Sequence, residues 1–68
     1  MKVMYDPEVD ALQIVFKEGE IESSEEEMDG MIFDFNEEGK VLGLEILNAS
    51  EKVDNLDGVE FIREKARA

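Results

Sequence analysis

Apolar and polar residues alternate with a period of two along most of the first 47 positions of the chain. Leu12, Ile14 and Phe16 are separated by single residues, so a β-strand would place all three on one face. Val3 and Tyr5 show the same spacing earlier in the chain. Repeated short segments of this kind predict β-strands joined by tight turns.

Turn-forming residues lie between these segments. Asp6-Pro7 occupies the first two positions of a predicted type I turn, where Asp and Pro are favoured. Gly19, Gly30 and Gly39 each fall between two alternating segments. Each of these positions predicts a reversal of the chain, and together they divide it into about five strands.

The segment from Glu20 to Asp29 is the least apolar of the five. Its apolar members are Ile21 and Met28, with three consecutive glutamates between them. Charged side chains on an exposed strand discourage pairing with another sheet. We therefore predict that this segment forms an edge strand.

The two following segments, 31–35 and 41–47, carry apolar residues on both faces, which predicts central strands. Such strands need cover on both sides, and the C-terminal tail is the nearest candidate to supply it. The faces expected to be most apolar hold Met31, Phe33 and Phe35 in one strand and Leu42, Leu44 and Ile46 in the other.

The tail carries the signals of a short helix. Asp57 with Glu60 resembles a capping box, and Val59, Ile62 and Ala66 would share a stripe. A separate single turn over residues 49–53 could begin with Ser50 as its N-cap. The predicted fold is thus α+β and mostly β, in a single domain of residues 1–68. Residues 1–48 form an antiparallel β-meander of about five strands, and residues 49–68 a helical tail.

Length and composition limit the functions available. A 68-residue chain has a thin core, and without cysteine it has no disulfide to support it, which favours self-association. The N-terminus lacks the apolar segment of an export signal, so we expect a cytoplasmic protein. Without His or Cys, the common nucleophile–base pairs are missing, and we expect no enzyme activity, catalytic residue or cofactor.

The formal net charge is −12, with 14 acidic and 3 basic residues among positions 1–50. Nucleic acids and anionic membranes would be repelled, so neither is an expected partner. A basic protein would be attracted, in a way that weakens as salt is added. The alternative is that the charge only keeps a small domain in solution.

Residues 34–45 follow the spacing of a calcium-binding loop. Oxygen-bearing side chains stand at positions one, three and five, glycine at six and glutamate at twelve. Glu38 replaces the usual Asp or Asn, and the flanking segments alternate as strands instead of forming helices. A solvated hairpin turn explains the same residues, so we assign no metal ligand here and keep weak calcium binding as the third interpretation.

Three blocks of the chain resemble a known family. They are Tyr5 to Leu12, Asp29 to Phe35 and Gly39 to Ser50, and together with their spacing they are similar to the small prokaryotic family called domain of unknown function 2283. Some members resemble the acidic half of toxin–antitoxin pairs, encoded beside a small basic protein similar to ribonucleases. The resemblance implies no catalytic residue.

Two main hypotheses follow. In the first, the protein is a binding module for a basic, ribonuclease-like partner, in the manner of an antitoxin. In the second, it is a homo-oligomeric domain without a separable biochemical activity. The carboxylates predicted to meet a partner in the first hypothesis are Glu20, Glu22, Glu25, Glu26, Glu27 and Asp29.

Overall fold

A computed structural model describes residues 1–65. It contains one antiparallel sheet of five strands and one short helix. The predicted fold class is therefore confirmed. The strands are β1 (Lys2–Asp6), β2 (Ala11–Val15), β3 (Ser23–Met28), β4 (Met31–Phe35) and β5 (Val41–Leu47), followed by helix α1 (Ala49–Lys52).

The strand order is β1-β2-β5-β4-β3, which differs from a continuous meander at one connection. After β2 the chain crosses to the far edge of the sheet, and β3, β4 and β5 then return side by side until β5 pairs with β2. Strands β2 to β5 form a Greek-key arrangement. The predicted positions of β3 at an edge and of β4 and β5 in the interior are confirmed.

The residue pairings divide the side chains between two faces of the sheet. Leu12, Ile46 and Met31 lie in one row across β2, β5 and β4, and Ile14, Leu44 and Phe33 lie in the next. We call this side the apolar face; it consists of Val3, Tyr5, Leu12, Ile14, Phe16, Met31, Phe33, Phe35, Leu44 and Ile46. The opposite side, the polar face, includes Lys2, Met4, Asp6, Gln13, Val15, Ile32, Asp34, Gly43 and Glu45.

Leu42 was predicted beside Leu44 and Ile46, and this placement is wrong. The pairing of β4 with β5 shifts register next to it, which is a β-bulge that reorients one side chain. Leu42 therefore lies with Gln13 and Val15 on the polar side, against Gly19 of the connection between β2 and β3. A thin second cluster of buried atoms forms at this point.

The helix lies earlier than the capping box predicts. Helix α1 begins directly after β5, where Asn48 adopts a left-handed conformation with φ of 52°. Ser50 is inside the helix and is not its side-chain cap, so that prediction is wrong. Residues 57–65 have no helical structure. Isolated helices of this length are marginal in water, and the predicted stripe residues Val59 and Ile62 are exposed, with no surface to stabilise them. Ala66 lies outside the described residues.

The main core lies at one end of the apolar face. Leu12, Ile46 and Ala49 are buried together, and Val53 and Leu56 of the tail pack against them. The tail thus covers part of the sheet, as expected, through Ala49 of helix α1 and through the irregular chain that follows it. From residue 57 to residue 65 every side chain is exposed.

Candidate functional site

The predicted partner-binding carboxylates lie along the β3 edge of the sheet. Glu20 and Glu22 are in the connection that precedes β3, and Asp29 is in the turn that follows it. Every residue of β3 is exposed. Because β3 pairs with β4 alone, one side of its backbone has no strand beside it among residues 1–65. The structure therefore brings these residues together along one edge.

The three central glutamates of this edge point in different directions. Glu25 lies opposite Phe33 and so on the side of the apolar face, while Glu26 lies opposite Ile32 on the other side. Glu27 falls where the register shifts, so it has no direct partner in β4. The carboxylates form a charged rim and not a single converging site.

Glu26 has a structural role within its own hairpin. Its Oε2 accepts a hydrogen bond of 2.8 Å from the backbone N–H of Gly30. Gly30 has a positive φ of 72°, a conformation that glycine adopts with little strain. The Glu26 carboxylate thus stabilises the turn between β3 and β4, and of the six predicted residues it is the one already engaged inside the protein.

The ion pair formed within residues 1–65 is Lys2 with Glu18, at 3.9 Å between exposed side chains. It lies at the opposite end of the sheet from the Asp29 turn. Among residues 1–65 no lysine or arginine forms an ion pair with the β3 carboxylates, although the Lys52 ammonium lies beside the Gly30 turn. A positively charged surface approaching this edge would meet an uncompensated field.

A second cluster, which the sequence analysis did not predict, joins the first turn to helix α1. Asp10 accepts hydrogen bonds from the Tyr5 hydroxyl at 2.7 Å and from the Ser50 hydroxyl at 2.7 Å. It also accepts one from the Ser50 backbone N–H at 3.0 Å. The backbone carbonyl of Asp10 meanwhile accepts the N–H of Ala49. We call Tyr5, Asp10 and Ser50 the Asp10 cluster.

The titration of this cluster follows from its hydrogen bonds. The Ser50 hydroxyl and, next, the Tyr5 hydroxyl stabilise the ionised carboxylate and hold the pKa of Asp10 below its usual value. The same bond favours the neutral phenol, so the pKa of Tyr5 is raised. The cluster is a structural tie between the first turn and helix α1, because an Asp10 carboxylate with a lowered pKa is too weak a base to activate either hydroxyl.

Side chains of the calcium-loop spacing have other hydrogen-bond partners in the structure. The Asn36 Oδ1 accepts backbone N–H groups of Glu38 and Lys40, both at 2.9 Å, and so closes the turn between β4 and β5. Asp34 accepts the Ser24 hydroxyl at 2.6 Å. Among residues 1–65, no three carboxylates are grouped closely enough to hold a metal ion.

A cleft of about 570 Å³ separates the tail from the sheet. Its walls are mainly apolar, from Val3, Ile14 and Phe16 on the sheet side and from Leu56 and Val59 on the tail side. The cleft shows that the tail only partly covers the apolar face.

No helix within residues 1–65 is long and apolar enough to cross a membrane.

Comparison with known proteins places this geometry in a family. The model of the family described as protein of unknown function (DUF2283) matches residues 2–50, which include all five strands and the Asp10 cluster. The chain belongs to this family. The suspected resemblance is thereby confirmed, and Tyr5, Asp10 and Ser50 all lie within the matched segment. Their joint presence in the resembling blocks was the signal that could have indicated the cluster.

One curated relative matches most of this chain. An uncharacterized protein of Methanocaldococcus jannaschii is 41% identical over 63 residues, covering 93% of this chain and 53% of the relative. The chain thus spans about half the length of the curated relative it matches. No solved structure matches the chain.

Proposed function

We propose that this DUF2283 protein is a small acidic binding module whose β3 edge recognises a basic protein. The observation that carries the proposal is the coincidence of two features on one strand. Strand β3 has an unpaired backbone edge among the described residues. Carboxylates lie within this strand and in the chain at both of its ends.

The backbone edge and the charge would act in different ways. An added strand would gain main-chain hydrogen bonds along β3, and the glutamates would steer a basic partner into place and select against acidic ones. The register shift at Glu27 interrupts regular pairing, so the stretch suited to strand addition is Ser23–Glu26. The partner segment would therefore be short.

The likeness of some family members to antitoxins supports a partner of a particular class. A small basic protein similar to ribonucleases would have the complementary charge. In this proposal the module has no enzyme activity of its own, and its role is to cover the partner. We also propose a cytoplasmic location, which the sequence predicts.

The test begins with the neighbouring genes of the native host. A small basic protein encoded next to this chain would be co-expressed with it and its binding measured by calorimetry at low and high salt. We expect binding that weakens as salt is added, because ion pairs at an exposed edge are screened. The absence of any such neighbour, together with affinity capture that recovers no salt-sensitive basic protein, would remove the proposal.

Matched charge variants locate the binding surface. Glu25→Gln with Glu27→Gln removes two charges from the β3 edge, and Glu37→Gln with Glu38→Gln removes two from the turn between β4 and β5. The β3-edge variant should raise the dissociation constant of the complex by about tenfold, because rim charges steer association. The variant in the turn between β4 and β5 should have little effect. Equal losses from both pairs would show that total charge and not the β3 edge controls the interaction.

A further inference from the structure

The apolar face is buried at one end and open at the other. In the row nearest helix α1, Leu12 and Ile46 are each 8% exposed, and at the opposite end of β2 Phe16 is 45% exposed. Helix α1, Val53 and Leu56 cover the first row. Towards the other end the tail stands off the sheet, and Val59 and Phe16 line the cleft between them. The sheet therefore presents an incompletely covered apolar surface.

Aromatic side chains occupy the open end. Phe33 and Phe35 lie on the same face of β4, with ring centroids 6.5 Å apart and planes inclined by 24°. Neither ring is part of the buried cluster around Leu12. Phe16 lies on the same face at the end of β2, and we call Phe16, Phe33 and Phe35 the aromatic group. Aromatic side chains are enriched among the residues that anchor protein interfaces.

The whole chain exposes more surface than a compact monomer of its size. Its accessible area is 5844 Å², whereas a folded monomer of 7.7 kDa is expected to expose about 4,300 Å². The excess of about 1,500 Å² is larger than the roughly 800 Å² that each partner contributes to a standard interface. The exposed tail accounts for part of this excess.

The charges of the chain are arranged so that a second copy can approach this face. Two chains of charge −12 repel each other, and the repulsion is weakest where the meeting surfaces carry no charge. Within β1 to β5 the apolar face carries Glu25 at its rim, and the other strand acids lie on the polar face or in the Glu27 bulge. A basic partner would leave its own charges unpaired against the aromatic group, so it fits the β3 edge better than this face.

We infer that two copies of this chain pack their apolar faces together, with Phe16, Phe33 and Phe35 near the centre of a two-fold symmetric interface. Such an isologous contact uses one surface twice, and it completes a core that is thin in a single chain. The inference is independent of the proposed β3 partner, because the β3 backbone edge stays free.

The test is analytical ultracentrifugation of wild-type protein and two matched variants at micromolar concentration. Phe16 and Met4 are each 45% exposed but lie on opposite faces. We expect the wild type to form a dimer. Phe16→Lys should raise the dissociation constant of this dimer by about 30-fold or more, as for a central interface residue. Met4→Lys should leave the dimer unchanged. Both variants reduce the net negative charge, so dissociation by Phe16→Lys could not be attributed to greater repulsion.

Two further measurements keep the inference falsifiable if Phe16→Lys fails to fold. Added salt should strengthen the wild-type dimer, because it screens repulsion between two acidic chains, whereas it should weaken a basic partner's binding. In a mixture of labelled and unlabelled wild-type chains, intermolecular NMR contacts should involve the rings of Phe33 and Phe35. A wild-type monomer throughout the micromolar range, or contacts confined to Met4 and the polar face, would overturn the inference.

Discussion

The Asp10 carboxylate and Ser50 are joined by two hydrogen bonds although they are 40 positions apart in the chain. One bond comes from the Ser50 backbone N–H and one from its hydroxyl, and each ends on a different carboxylate oxygen. Asp10 itself has a positive φ of 53°, a conformation that Asp and Asn tolerate better than most residues. The first turn of the sheet is thereby fixed to helix α1, next to the buried Ala49.

Replacement of Asp10 by Asn should reduce stability in a pH-dependent way. Its folded-state pKa is lowered, chiefly by the Ser50 hydroxyl, so ionised Asp10 stabilises the fold above its unfolded pKa of about 3.9. That contribution is lost as pH falls through the folded-state pKa. Urea unfolding should therefore find wild type more stable than Asp10→Asn at neutral pH, with a difference that shrinks below about pH 4.

A charge-matched variant separates this effect from the general repulsion in an acidic chain. Glu8→Gln removes one negative charge from the same exposed turn, and the Glu8 side chain makes no hydrogen bond within the described residues. It should not reproduce the loss of stability at neutral pH. A difference between Asp10→Asn and wild type that is constant from neutral to acid pH would contradict the role given to the ionised carboxylate.

Gly43 is required by the close approach of β2 and β5. A Cβ atom at this position would lie 2.7 Å from the backbone oxygen of Ile14, a contact that side-chain movement cannot relieve. Gly43→Ala should cost about 1–3 kcal/mol or more in the free energy of unfolding, because the two strands must separate. Chemical denaturation followed by circular dichroism would measure the loss.

The control for Gly43 is Gly58 in the tail, where a Cβ atom would meet nothing within 4 Å. Gly58→Ala should change the free energy of unfolding by less than about 0.5 kcal/mol. Equal losses from both alanine variants would show that the contact with Ile14 is not the cause.

Gly39 is required for its backbone conformation and not for space. Its φ is 80°, its N–H donates to the Asn36 carbonyl at 2.9 Å, and an added Cβ would meet nothing within 4 Å. Gly39→Ala should cost about 1–2 kcal/mol through the left-handed conformation alone. Gly39→Asn should cost less, because Asn tolerates that conformation, and thermal unfolding of both variants would compare them. Equal losses would indicate another cause.

Much of the sheet could be predicted from the sequence because strand faces and turns depend on local patterns. The period of two assigned Leu12 and Ile14 to one face, and Asp29-Gly30 and Gly39 marked two hairpin turns. The run of glutamates indicated the edge position of β3. Each of these features is decided by residues within a few positions of one another.

The remaining features depend on contacts between distant residues. Periodicity does not specify which strands are neighbours, so the pairing of β2 with β5 was not predicted. The bulge at Leu42 belongs to the pairing of β4 with β5, and it reverses a single side chain. The bond between Asp10 and Ser50 joins two segments that have no local pattern in common. The predicted turn over residues 49–53 is present as helix α1. The second predicted helix, from Asp57, does not form because a capping signal has little effect without a surface for the helix to pack on.

The hairpin between β4 and β5 provides a test of the calcium-loop spacing. The Asn36 side-chain oxygen already accepts two backbone N–H groups, and Asp34 accepts the Ser24 hydroxyl. A calcium ion would have to displace these bonds and gather six or more oxygens around a turn flanked by strands. We therefore expect millimolar calcium to produce no saturable change in the backbone NMR shifts around Gly39.

Magnesium at the same ionic strength is the control for non-specific screening of the acidic surface. Both ions should produce the same small, dispersed changes, because an exposed acidic chain attracts any divalent cation weakly. Saturable shifts of residues 36–40 with calcium and not with magnesium would contradict this expectation. Such a result would mean that the hairpin rearranges to bind the ion, and that the Asn36 turn is one of two stable conformations.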